Sequence, residues 1–244
     1  MRDVYDTLIH ALSISREYLF FIQIGSNDAT HGDPLHRFLR HEHWHGIMVE
    51  PVSYVFDRLR AKYGGSERFI LENVAIAEVN GTKEFYYLEQ SNDDLPVWYD
   101  QLGSFSLPII MKHTDFIPNI EKRIRKTNIE CITFQALCDR HSVGSIDIIH
   151  IDTEGFDYEI LKLINFEYYK PVLLIYEHKH LSKIDQAAAQ RLLGEQGYEV
   201  LEVNSSDTIS VNLEAIENEH LLKKIWDIVL KEVGVSNASL ENNY

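Results

Sequence analysis

The chain has 244 residues, 45% of them hydrophobic and 25% charged, and a net charge of −15. That length suits one sizeable α/β core, and the acidic balance argues against a nucleic-acid backbone as main partner, because phosphate binding needs a basic footprint. The two cysteines, Cys131 and Cys138, match neither a CxxC nor a zinc-cluster spacing, which argues against a disulfide framework and for a reducing cytoplasm.

Val4 to Tyr18 has the spacing of an amphipathic helix. Its mixed charges separate it from a signal peptide, and no apolar run in the chain approaches a membrane span. Tyr18 to Ile24 (YLFFIQI) reads as a buried strand. Pro34 opens a predicted helix with Leu35, Phe38 and Leu39 on its apolar side. Gly46 to Glu50 is a second strand, and Val52 to Tyr63 has helical spacing. Arg68 to Ala77 is predicted as one strand and Gly81 to Leu88 as another.

Residues Glu89 to Lys126 break the alternation with Pro96, Pro108, Pro118 and scattered aromatics. A segment this long is expected to be a functional insert or lid. Order returns at Cys131 to Phe134, and strands are expected at Ile146 to Asp152 and Pro171 to His178. Helices are expected through Arg140, from Asp157, and over Ser182 to Gln196 with Gly197 after it. Two further strands (Tyr198 to Val203, Thr208 to Val211) precede a helix from Glu217 to Val233 and a tail over 236–244. On that helix Leu221, Leu222, Ile225, Trp226 and Val229 form an apolar stripe, suited to its own sheet or to a dimer, so monomer and homodimer both stay open.

Strands alternating with helices imply a doubly wound, mainly parallel sheet, which binds ligands beyond the carboxyl ends of its strands. Those ends read Gly25-Ser26-Asn27-Asp28, Glu50, Asn73, Asp152-Thr153-Glu154 and Glu177-His178, and all are polar. The first loop lacks both G-x-x-x-x-G-K-[ST] and G-x-G-x-x-G, and Asp28 makes it a poor diphosphate cradle. Glu50 stands where an acid takes ribose hydroxyls. S-adenosylmethionine, with its ribose and sulfonium, meets these conditions.

The segments FIQIGSNDATHGDP, GIMVEP, ENVAIA and IDIIHIDTEGFDYEIL with LLIYEH resemble the FkbM-type methyltransferases, over roughly Tyr18 to Leu181. The resemblance implies a single methyltransferase domain (1–244) with a Rossmann-like class I fold that uses S-adenosyl-L-methionine. The expected reaction is O-methylation of a sugar, glycoconjugate or small natural product. It puts Gly25, Asn27 and Asp28 beside the methionine part, Glu50 on the ribose, Asn73 and Ala75 at the adenine, and Asp152 and Glu154 where methyl and acceptor meet. The chain departs from the family's D-x-G-A-N-x-G turn at Gln23 and Ala29.

An unactivated hydroxyl needs a base or a metal. Asp152, His178 and His113 are the candidate bases. Asp152, Glu154 and His178 would suit Mg²⁺, which prefers oxygen ligands. Two rival readings remain: an NAD-dependent sugar dehydrogenase or epimerase, which lacks its glycine-rich loop, and a non-catalytic Rossmann-like binding module.

Overall fold

The computed structural model describes residues 4–217 and 220–233. The main sheet has seven strands in the order β10-β11-β9-β8-β1-β2-β3. They are β1 (Leu19–Ile24), β2 (Trp44–Val49), β3 (Phe69–Glu72), β8 (Ile148–Ile151), β9 (Leu173–Glu177), β10 (Tyr198–Glu202) and β11 (Asp207–Asn212). β3, β2, β1, β8 and β9 run parallel, while β11 is antiparallel to β9 and to β10. Four residues in a row are buried on β1, β2 and β8, as strands covered on both faces require.

Helices cover both faces. One face carries α1 (Val4–Ile14) and α9 (His220–Val233), whose Leu8, Leu12, Leu222 and Trp226 pack with Phe21 and Trp44. The apolar stripe of α9 is thus largely used internally, although Leu221 stays 43% exposed. The other face carries α5 (Phe134–Arg140), α6 (Asp157–Leu163) and α7 (Lys183–Glu195). Side-chain caps fix two of their starts: Thr133 Oγ1 accepts from Ala136 N at 3.0 Å and Ser182 Oγ from Asp185 N at 3.1 Å.

Three sequence expectations differ from what is observed. The helix from Pro34 is a run of turns. Its backbone bonds join residues three apart, such as Phe38 N to Leu35 O and His41 N to Phe38 O. Arg68 Nη1 takes the carbonyls of Leu39, His41 and Trp44 at 3.1, 2.7 and 3.0 Å, while Leu35, Phe38 and Leu39 keep their buried places. The strand over 68–77 splits at Asn73 into β3 and β4 (Ala75–Ile76), which belongs to a second sheet. The insert is more regular than its prolines suggest. After α2 (Ser53–Tyr63), the strands β5 (Gly81–Leu88), β6 (Gly103–Ser104) and β7 (Ile124–Ile132) join β4 in the order β4-β7-β5-β6. The short helices α3 (Leu107–Met111) and α4 (Ile120–Arg123) lie within it, and Leu88, Leu102, Ile110, Ile117 and Ile120 form its own small core. The expected tail at 236–244 lies outside the described residues.

Candidate active site

A cavity of about 220 Å³ opens beyond the carboxyl ends of β1, β2, β8 and β9. Gly25 shows why the first loop needs glycine. Its φ is +80°, and a Cβ there would lie 1.7 Å from the backbone oxygen of Asp152 on the neighbouring strand end. Gly25 and Asn27 line the cavity. Asp28 does not: its carboxylate accepts from Thr30 Oγ1 and faces Arg58 Nε at 3.7 Å. Arg58 also holds Asp100 at 2.6 Å, and it is Asp100 that reaches the cavity wall.

Glu50 follows β2 and is 5% exposed. Its Oε2 accepts from Asn27 N at 3.0 Å and its Oε1 from Val52 N at 2.7 Å. Each oxygen keeps a second lone pair, and the residue lines the cavity. Burial pushes its carboxyl up to about 7, against the pull of the Val52 and Asn27 amides and of Arg58. Asn73 does not line the cavity. Its Nδ2 donates to the carbonyls of Glu50 and Pro51 at 2.8 and 3.1 Å, so it fixes the turn after β2. Ala75 does line the cavity, next to Val74, Ile76, Phe85 and Phe105. This apolar wall is where a flat purine would fit.

The opposite end is acidic. Asp152 opens onto the cavity, and Glu177, 8% exposed, lines it from the end of β9. Asp152 is exposed, lining this cavity and, with Asp33, His150 and Asp207, a second one beside it. Burial, then the charges of Glu154 and Asp157, raise the Asp152 carboxyl well above its usual range. Burial and then Asp152 push Glu177 up to about 11. One carboxylate oxygen each from Asp152, Glu154 and Glu177 lies within 4.8 Å of the others. His178 is not part of this group. It is absent from the cavity wall, and its Nδ1 meets Thr208 Oγ1 of β11 at 2.9 Å. The expected Asp152–Glu154–His178 metal set therefore does not assemble, because strand alternation turns Glu177 inward in place of His178. His113 is buried beside His180, with ring centroids 5.5 Å apart.

Three wall residues escaped sequence reasoning, His150, Asp33 and Asp207, and Gln23 was noted only as a departure from the family turn. Gln23 lies beside His150 across the β1–β8 register, with Gln23 Nε2 and His150 Nδ1 3.2 Å apart. Asp33 and Asp207 approach from the first loop and from β11. Gln23 Oε1, Asp33 Oδ2 and Glu177 Oε2 are buried acceptors without a hydrogen-bond partner. A ligand that brings a cation and ribose hydroxyls satisfies such a wall, and S-adenosylmethionine brings both.

The parallel order and this cavity define a Rossmann-like class I methyltransferase fold. The sequence matches the Methyltransferase FkbM domain over residues 23–223, and the chain belongs to the FkbM methyltransferase family. In three dimensions it resembles the methyltransferase FkbM from Methylobacillus flagellatus KT, with a TM-score of 0.51 and 13% identity. The overlap covers 85% of this chain and 47% of that protein, so this chain matches about half the length of its relative. A methyltransferase from Geobacter sulfurreducens overlaps more loosely, with a TM-score of 0.43 and 10% identity, over 87% of this chain and 80% of its own. No curated protein sequence matches. Among the described residues no helix is long and apolar enough to cross a membrane.

Proposed function

We propose that the chain is an S-adenosylmethionine-dependent O-methyltransferase acting on a hydroxyl of a sugar, glycoconjugate or small natural product, with 1–244 as one domain. One observation carries the reading: a strand-end cavity that joins an apolar wall, a ribose-ready Glu50 and an acidic far end. The acids suit a positive sulfonium and would repel a diphosphate, which disfavours the dinucleotide alternative. When bound, S-adenosylmethionine supplies an activated methyl group.

The chain's own groups do the rest. Glu50 holds the ribose hydroxyls, and Val74, Ala75 and Ile76 flank the adenine. Asp152 faces the cavity and takes the proton of the acceptor hydroxyl, with the protonated Glu177 beside it and Asp33 and Asp207 on the same wall. Positioning supplies much of the rate in such a transfer. Phe105 packs edge-on against Phe85 and Phe156 and offers an apolar face to the acceptor. Trp98 and Tyr99 serve the insert itself: Trp98 packs on His113 and Phe116, and the Tyr99 hydroxyl donates to Ser91 O at 3.2 Å. The two free, buried cysteines suit a reducing, cytoplasmic setting.

Calorimetric titration with S-adenosylhomocysteine and, in parallel, NAD⁺ tests the reading. Micromolar binding of the first alone is expected. Binding of NAD⁺ alone would overturn the methyltransferase assignment, and binding of neither would favour a binding module.

A further inference from the structure

A second cluster lies behind the cavity wall. It joins three distant segments: His113 from the insert, Glu154 from the turn after β8 and His180 from the turn after β9. One ligand atom of each lies within 4.8 Å of the others. His113 is 7% exposed and His180 8%. His180 Nε2 sits 3.0 Å from Glu154 Oε2 and 3.8 Å from Glu177 Oε1. Four buried polar atoms here have no hydrogen-bond partner: His113 Nδ1, Glu177 Oε2, and the Glu154 Oε2 and His180 Nε2 that meet only as an ion-pair contact. Glu154 also belongs to the three-carboxylate group with Asp152 and Glu177, so carboxyl groups crowd together at this place.

We infer that His113, Glu154 and His180, with Glu177 as the fourth donor, form a site for a zinc-class divalent ion that clasps the insert to the strand ends. Two imidazoles with carboxylates suit a borderline ion such as Zn²⁺ or Co²⁺, whereas Mg²⁺ favours all-oxygen sets. Donors about 2.1 Å from one ion stand up to about 4.2 Å apart, so the observed cluster needs only a small contraction. His113, Glu154 and His180 are absent from the cavity wall, and only the fourth donor, Glu177, borders the cavity as well. The ion would neutralise the acidic cluster and hold the insert over the cavity. This inference does not depend on the methyl-transfer reading.

The test uses the full chain after chelator treatment, with Co²⁺ as a visible probe and Zn²⁺ for calorimetry. One equivalent is expected to bind, with Co²⁺ d–d bands, a higher melting temperature and slower proteolysis within 89–126. His113→Ala and His180→Ala should each weaken binding at least tenfold and abolish the protection of the insert. Glu154→Gln gives a conservative third variant should an alanine variant fail to fold. A His10→Ala variant, changed at an exposed histidine of α1, should bind as the wild type does. Failure of the wild type to bind Co²⁺ or Zn²⁺ would overturn the inference. So would binding that survives His113→Ala/His180→Ala, or that is lost in the surface variant. S-adenosylhomocysteine titration of the same samples reports separately on the cofactor reading.

Discussion

Replacing Glu50 with glutamine separates its charge from its shape. The carboxyl is raised to about 7 from an ordinary value of 4.5, mainly by burial. The folded state therefore keeps a proton that the unfolded chain gives up. Stability from this group is complete below about 4.5 and is lost as pH rises toward 7. Two and a half units at about 1.4 kcal/mol each amount to about 3 kcal/mol, of which about 2 kcal/mol falls between pH 5.5 and 7. For a domain of this size that difference is roughly 4 to 8 °C in Tm. The Glu50→Gln protein lacks this slope, so the difference between the two stability curves isolates Glu50 from the other buried acids. Binding runs the opposite way. Ribose hydroxyls donate to the ionised form, so S-adenosylhomocysteine should bind wild type more tightly as pH rises to about 7 and then level off. At pH 8 the glutamine variant should bind roughly tenfold to a hundredfold more weakly, since hydrogen bonds to a charged group are worth about 1.5–3 kcal/mol each. Thermal unfolding and calorimetry across pH 5.5–8 read both effects. Parallel stability curves, together with equal affinity at pH 8, would refute the reasoning.

Other changes probe the rest of the site. Gly25→Ala places a Cβ against the Asp152 carbonyl and should cost more than about 3 kcal/mol in urea unfolding. An unchanged unfolding midpoint would show that the strand ends can part freely. Arg58→Ala leaves Asp28 and Asp100 facing each other without a cation and should cost about 1 kcal/mol, an effect that shrinks in high salt. A loss independent of salt would point to packing instead. Cys131 and Cys138 are buried and burial raises both thiols, so neither should react with a thiol reagent until the chain unfolds. Fast labelling of the native protein would contradict that burial.

The strand framework was legible because apolar runs such as YLFFIQI and IDIIHID end abruptly in polar residues, and hydrophobic periodicity is a local signal. What escaped is non-local. Arg68 captures three carbonyls of the segment read as a helix from Pro34, and no pattern within 34–45 reveals that. Asn73 binds the carbonyls of Glu50 and Pro51 and so turns the chain from one sheet into the other. Asp28 looked like a ligand group until Arg58, thirty residues on, was seen to face it. The choice between Glu177 and His178 depended on strand phase, which sequence leaves open at a strand's end. His180 was passed over because it lies beyond β9, where only the fold brings it to Glu154 and His113.

The departure at Gln23 fits the same picture. The family turn that this loop resembles begins with an acid, and here that position carries a neutral amide beside His150. Burial lowers the His150 imidazole, so the pair brings no positive charge to the cavity at neutral pH. Negative charge returns from two other directions. Asp33 enters from the loop after β1, with Oδ1 held by Leu35 N at 2.7 Å and Oδ2 left without a partner. Asp207 enters at the start of β11, held by Asn204 Nδ2 at 2.9 Å. Both border the cavity next to Asp152. A cation at this end thus meets carboxylates fixed by backbone and side-chain donors, and fixed charges need no reorganisation when a ligand arrives. Acids thus stand around the end of β1, on the loop after it and on β11, rather than at Gln23, and under the proposed function they would serve a positively charged ligand.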